Sequence, residues 1–218
     1  MCGRFEGQNE TWQQLHELLS GFAHLPAETA AQYADREIRP TNRYPVIRPA
    51  VGSGYEIIEA RWGLIPYFWN KPIKEWKATT INATIEDVET KPSYKSAWKS
   101  KHCLVPVRSF WEWQTQNPEA PKAKQVKTRY CITRADNHPM VFAGLYDRAK
   151  TADGEVVSFT IMTRPNGPDM AGLHTREPIM LDPDQWAPWL ACDPMPELSL
   201  PTRELLFRPV AEQREAYA

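Results

Sequence analysis

The sequence predicts an α+β fold, a single β-rich domain over residues 1–218 with helices at its periphery. Three observations carry this. Short apolar runs of strand length recur along the chain between polar or proline-bearing turns. Twenty prolines against ten glycines describe rigid bends and short strands, not a glycine-rich phosphate loop. No strand–helix–strand alternation is visible, which removes a doubly wound parallel sheet.

The elements follow in order. Residues 9–22 have helical spacing: Asn9 can cap them, Trp12, Leu15, Leu18, Leu19 and Phe22 share a face, and Gly21 sits near the end. Residues 37–49 are extended and punctuated by proline, and 55–62 read as a strand. The cluster Trp62, Pro66, Tyr67, Phe68, Trp69 is too short and too proline-broken for a helix, and 76–83 reads as another strand. Pro92 suits the first turn of a short helix over 92–99. Strands are expected at 103–107, 109–113, 128–134, 140–146 and 155–163, a polar loop at 115–127, and short helices at 183–191 and 202–207.

Charge and composition exclude some functions. The net charge of −1 rules out a wholly basic nucleic-acid coat protein but leaves room for a local basic groove. Lys95 to Arg129 is rich in base, and the chain from Glu177 onward is rich in acid. Each is either a solvated face or, for the middle segment, a wall for a phosphate backbone. The four cysteines, at 2, 103, 131 and 192, have neither metal-ligand nor CxxC spacing and are too sparse for a disulfide scaffold. No metal and no cofactor is expected. The opening MCGRFEGQNE lacks a signal-peptide core, and no apolar run is long enough to span a membrane. The expectation is a cytoplasmic protein with free thiols.

Cys2 follows the initiator Met. Once Met1 is removed, that residue carries a free α-amine and a thiol together. An α-amine has a pKa of roughly 7.7–8.0, against roughly 10.4 for lysine, so far more of it is neutral near pH 7. The thiol can attack an amide carbonyl with the amine as base. Alternatively the amine condenses with an aldehyde and the thiol closes a thiazolidine ring. A lone Cys2 at a frayed terminus is the plain alternative.

Other segments carry chemistry. In HCLVPVRSFWEW (102–113), Glu112 sits between Trp111 and Trp113, so strand alternation puts the carboxylate on one face and both indoles on the other. Such a carboxylate suits acid–base work, or is simply exposed. In LHTREP (173–178), His174 can move a proton near neutrality and Arg176 can hold a phosphate, or both are surface residues. Asn82 in TTINATIE runs against strand propensity and must face water or bond to something specific. The aromatic run 66–69 can stack on unpaired bases or pack internally. His16, His24, His102 and His138 are read as structural or solvated.

Together these segments resemble the SRAP family, the abasic site processing proteins. The matching pieces are MCGRF, WGLIPYFW, INATIE, KPSYKSAW, CLVPVRSFWEW, MVFAGLYD, FTIMTRPN and LHTREPIML, in family order over nearly the whole chain. The resemblance implies curved antiparallel sheets and a monomer that recognises abasic sites in single-stranded DNA, at the nucleoid or replication fork in a cellular host. It implies a thiazolidine cross-link through Cys2 after (auto)removal of Met1, with peptidase-like and lyase activity. Asn82 would position the terminus, Glu112 would be acid and base, and His174 would protonate the sugar ring oxygen. Arg4 and Arg176 would hold phosphates, Pro40, Thr41 and Arg108 would join the DNA surface, and Phe68 and Trp69 would stack where the strand bends.

Three departures bear on DNA contact. Asn82-Ala83-Thr84 stands where the family has an arginine third. Glu37-Ile38-Arg39-Pro40-Thr41 stands where it has Asn-x-Ala-Pro-Thr, with Arg39 or Arg108 as replacements for lost charge. Glu177 is expected to add a negative charge near the phosphate site. Two other classes fit parts of the pattern: an amidohydrolase or glutaminase with an N-terminal cysteine, and a non-catalytic single-strand binding module.

Overall fold

The computed structural model describes residues 2–7, 15, 32–136, 140–200 and 207–211. The expected helix over 9–22 lies outside them except for Leu15, which is helical and fully buried. The expected helix over 202–207 also lies outside, save Phe207, which opens a strand instead.

Twelve strands are described: β1 (Phe5–Gly7), β2 (Arg36–Ile38), β3 (Arg43–Pro49), β4 (Tyr55–Trp62), β5 (Asn82–Thr84), β6 (His102–Val107), β7 (Ser109–Thr115), β8 (Lys127–Arg134), β9 (Met140–Thr151), β10 (Gly154–Pro165), β11 (Arg176–Pro178) and β12 (Phe207–Ala211). Among the described residues two α-helices are complete, α1 (Pro92–Ser100) and α2 (Pro183–Leu190). The fold is α+β. Among the described residues no helix is long and apolar enough to cross a membrane.

The strands form two sheets. One runs β12-β8-β7-β1-β2 and is antiparallel throughout. The other runs β11-β10-β4-β3-β6-β9, and a further β9–β10 pairing closes its five central strands into a ring. Closure removes free edges. The sheets share one core: Phe5 of β1 lies 4.8 Å from the Tyr44 ring and 5.0 Å from Trp62 of the ring sheet.

Closure demands close strand approach at Gly144, which faces Cys103 on β6 and Ile161 on β10. A Cβ there would meet Val105 Cγ2 at 2.8 Å and Cys103 Sγ at 2.9 Å. Gly144→Ala is therefore expected to destabilise by about 1–3 kcal/mol through overpacking. Urea unfolding checks it, and a loss below about 0.5 kcal/mol would show that the ring yields there.

The segment expected as a strand over 76–83 is one only at Asn82–Thr84. Residues 76–81 spend their backbone groups singly: Leu64 N–H donates to the Thr80 carbonyl and Ile161 N–H to that of Ile81. The Thr80 hydroxyl donates to the Leu64 carbonyl, tying this segment to the exit of β4 without a ladder.

Candidate active site at the chain start

Residues 2–7 are held, not frayed. β1 pairs with both β2 and β7, and just before it Trp111 N–H donates to the Arg4 carbonyl at 3.1 Å. Cys2 is fully buried, and its carbonyl accepts Asn82 Nδ2–H at 2.9 Å. Asn82 is 8% exposed, and its own carbonyl accepts the Tyr94 hydroxyl at 3.0 Å. β5, paired in parallel with β10, thus carries Asn82 to the chain start, which answers why a buried strand tolerates an asparagine.

Glu112 is buried on β7, with Tyr130 opposite on β8. Trp111 and Trp113 project from the other face, where the Arg129 guanidinium lies 4.4 and 5.9 Å from their ring centres. Burial first, and then the negative charge of Glu112, push the Cys2 thiol well above its ordinary range. The thiol therefore stays protonated near neutral pH.

His174 is half-buried, and its Nδ1 accepts the backbone N–H of Arg176 at 3.0 Å. That bond places the imidazole proton on Nε2. Burial is the largest influence pulling its pKa below the usual histidine value, and the Glu112 charge opposes it. Cys2 and His174 both feel Glu112, so these three groups, with Asn82, form one cluster.

Arg176 is engaged already. Its Nη1 and Nη2 donate to Glu86 at 3.0 and 2.8 Å, and its Nε donates to the Thr163 hydroxyl at 3.2 Å. These hydrogen bonds hold the Glu86 carboxyl below its usual range. Arg4 donates to Glu37 at 2.9 Å and lies 5.2 Å from the Trp113 ring centre. Both arginines thus hold carboxylates where the resemblance places phosphates.

Glu177 corrects an expectation. It adds no charge to the Arg176 surface, because it is 1% exposed, paired to Arg164 at 2.8 Å, and accepts Gly167 N–H at 2.7 Å. Alternation along β11 turns it away from Arg176.

The remaining residues lie further out. Arg108 sits between β6 and β7, beside Glu6, and pairs with Asp35 at 2.5 Å. Pro40 is half-buried, and the exposed Thr41 adopts φ +76°, unusual for a β-branched residue, while its N–H donates to the Trp62 carbonyl. Phe68 is 47% exposed, but Trp69 packs edge-on against Trp76 at 5.0 Å. The bases of the 95–129 segment are divided: Lys101 pairs with Asp147, Arg108 with Asp35, and Arg129 covers the tryptophans. Arg129 and Glu86 were not singled out from sequence. Arg129 is legible only through the β7–β8 register, which sets it opposite Trp113.

A ring-closed β sheet, a second sheet sharing its core and a tethered cysteine at the chain start define the architecture. The chain belongs to the SOS response associated peptidase (SRAP) family, whose description matches residues 1–218. It is 32% identical over 163 residues to an abasic site processing protein of Saccharomyces cerevisiae, covering 73% of this chain and 41% of that one. It is 32% identical over 140 residues to abasic site processing protein YoqW of Bacillus subtilis, covering 64% and 59%. With YedK of Escherichia coli, of the same description, identity is 25% over 200 residues, covering 87% and 79%. The chain thus spans about half the length of the first two relatives. A solved structure from Bacteroides thetaiotaomicron is similar in fold, with TM-score 0.80 and 21% identity over 98% of this chain and 93% of that one.

Proposed function

We propose that this protein captures abasic sites in single-stranded DNA as a covalent thiazolidine through Cys2, once Met1 has been hydrolysed away. The supporting observation is the cluster itself: a cysteine whose carbonyl is gripped by Asn82, with Glu112 close enough to act electrically on both Cys2 and His174. The naming of the relatives as abasic site processing proteins points the same way.

The steps balance as follows. Hydrolysis of the Met1–Cys2 peptide bond consumes a water and frees the α-amine. His174, carrying its proton on Nε2, donates a hydrogen bond to the sugar ring oxygen as the deoxyribose opens to its C1′ aldehyde. The amine adds to C1′, and loss of water gives an imine, with Glu112 taking the amine proton and returning one to the departing hydroxyl. Cys2 Sγ then adds to the imine carbon, its proton passing to nitrogen. The net loss is one water.

Phosphates of the strand would exchange with Glu86 on Arg176 and Glu37 on Arg4, and Phe68 would stack on a base. The protein meets its substrate as a monomer, without metal or cofactor.

The test is incubation with an abasic single-stranded oligonucleotide, followed by a denaturing gel. A band of protein plus DNA that survives heat is expected, and free oligonucleotide alone would overturn the reading. The pH profile is a second expectation. Cross-linking should rise from about pH 5 to about pH 9 as the α-amine loses its proton, and then level. The buried thiol, kept protonated, adds no second rise. A continued increase well beyond the amine's range would show that thiolate formation limits the rate instead.

A further inference from the structure

On the outer face of the β12-β8-β7-β1-β2 sheet, three guanidinium groups converge on one carboxylate. Glu37 Oε1 accepts from Arg4 Nη1 at 2.9 Å and from Arg39 Nε at 2.6 Å, and its Oε2 lies 3.5 Å from Arg129 Nη2. The four residues come from β2, the turn after it, the approach to β1, and β8, so only the folded sheet assembles them. The Arg4 and Arg129 guanidinium carbons lie 5.2 and 4.4 Å from the ring centres of Trp113 and Trp111.

Three guanidinium groups meet the Glu37 carboxylate, and Glu6 stands across from it on β1. Each guanidinium offers five N–H donors, while a carboxylate presents about four acceptor positions. The site stays open to solvent, with side-chain exposures of 38% for Arg4, 60% for Arg39 and 33% for Arg129. Burial pushes the Glu37 carboxyl upward, but hydrogen bonding to Arg39 and the charges of Arg4, Arg39 and Arg129 outweigh it, and Glu37 remains ionised. Planar guanidinium groups suit a phosphodiester, which each grips with paired hydrogen bonds.

We propose that Arg4, Arg39 and Arg129 form a binding site for a backbone phosphodiester, and that Glu37 is an internal occupant whose displacement sets the affinity. The proposal rests on the reading that a single strand lies against the chain start. Arg4 stands two residues from Cys2 in the chain. Glu37 acts here as a built-in competitor: the strand gains the trio only by exchanging one anion for another. Non-specific retention on undamaged DNA is thereby restrained.

The experiment measures binding of an undamaged single-stranded oligonucleotide over a range of salt, with wild type, Glu37→Gln, Arg39→Gln and Glu37→Gln/Arg129→Gln. Removing one negative charge next to a bound phosphate is expected to tighten binding about tenfold at low salt. Arg39→Gln, an exposed change with little risk to the fold, should weaken it several-fold and reduce the salt slope by a fraction of the roughly 0.7 due per phosphate. The gain from Glu37→Gln should disappear in the double variant. Unchanged affinity in Glu37→Gln with an unchanged melting temperature, or a gain that survives loss of Arg129, would overturn the proposal. Arg39→Gln decides the matter if Glu37→Gln unfolds: undiminished affinity in it also overturns the proposal. Heat-stable cross-linking of an abasic oligonucleotide at saturating protein is read separately, so its failure indicts the Cys2 chemistry and not the trio.

Discussion

Cys2→Ser is expected to form no heat-stable adduct with abasic single-stranded DNA. The variant keeps the α-amine, once Met1 is gone, and so still condenses with the aldehyde. Its hydroxyl is a far weaker nucleophile toward the imine than sulfur, and the ring that would lock the product does not close. The expected product is an open imine, which hydrolyses on denaturation and is retained only when reduced with borohydride. Cys2→Ala should behave in the same way. Glu112→Gln should keep the chemistry but slow it by about 10²–10⁴, the usual worth of a positioned acid–base group. A Cys2→Ser adduct as heat-stable as wild type would place the covalent bond elsewhere. The burial of Cys2 and the bond from Asn82 to its carbonyl make the prediction sharp, because serine fits the same space with the same backbone tether.

Glu177→Ala is expected to be the most damaging single change to stability. Glu177 and Arg164 are 0% and 7% exposed at their side chains and bond at 2.8 Å, with Gly167 N–H as a third partner. Removing one member of a buried pair leaves the other charge uncompensated, at a cost of about 3–5 kcal/mol. For a chain of this size that lowers the melting temperature by roughly 6–20 °C. The pair joins β10 to β11, the strand that begins at Arg176, two residues after His174. The variant should therefore also lose cross-linking rate at temperatures where it stays folded. Thermal melts decide it, and a drop of less than about 2 °C would mean the pair contributes little net stability.

The contrast between Glu177 and Glu37 shows where reading the sequence stops. Both stand beside arginines in the chain, and adjacency alone suggested that Glu177 would sit among the phosphate contacts. Strand alternation buries it on the opposite side, while Glu37 gathers arginines separated from it by 2, 33 and 92 positions. Long-range register, not local spacing, sets such clusters. Period-two patterning was strong enough to reveal most strands, including Glu112 facing away from its flanking tryptophans. It could not show that β9 and β10 close a ring, since closure depends on a small residue at Gly144 and on pairing partners far apart. The aromatic run 66–69 could not be divided by pattern either. Phe68 remains open to solvent, whereas Trp69 is claimed by Trp76. Asn82 stood out as a residue against its strand setting, whereas Cys2, Glu112 and His174 were gathered with it by the ordered family segments and not by local pattern. Their convergence became visible only in the fold.

The most direct measurement is the intact mass of the purified protein, before and after mixing with an abasic single-stranded oligonucleotide. The reactive protein should be lighter than the encoded chain by one methionine residue. After mixing it should gain the mass of the oligonucleotide less one water, and the gain should survive denaturation. Protein that retains Met1 and still acquires the DNA, or protein that has lost Met1 and acquires none, would contradict capture by the Cys2 amine and thiol.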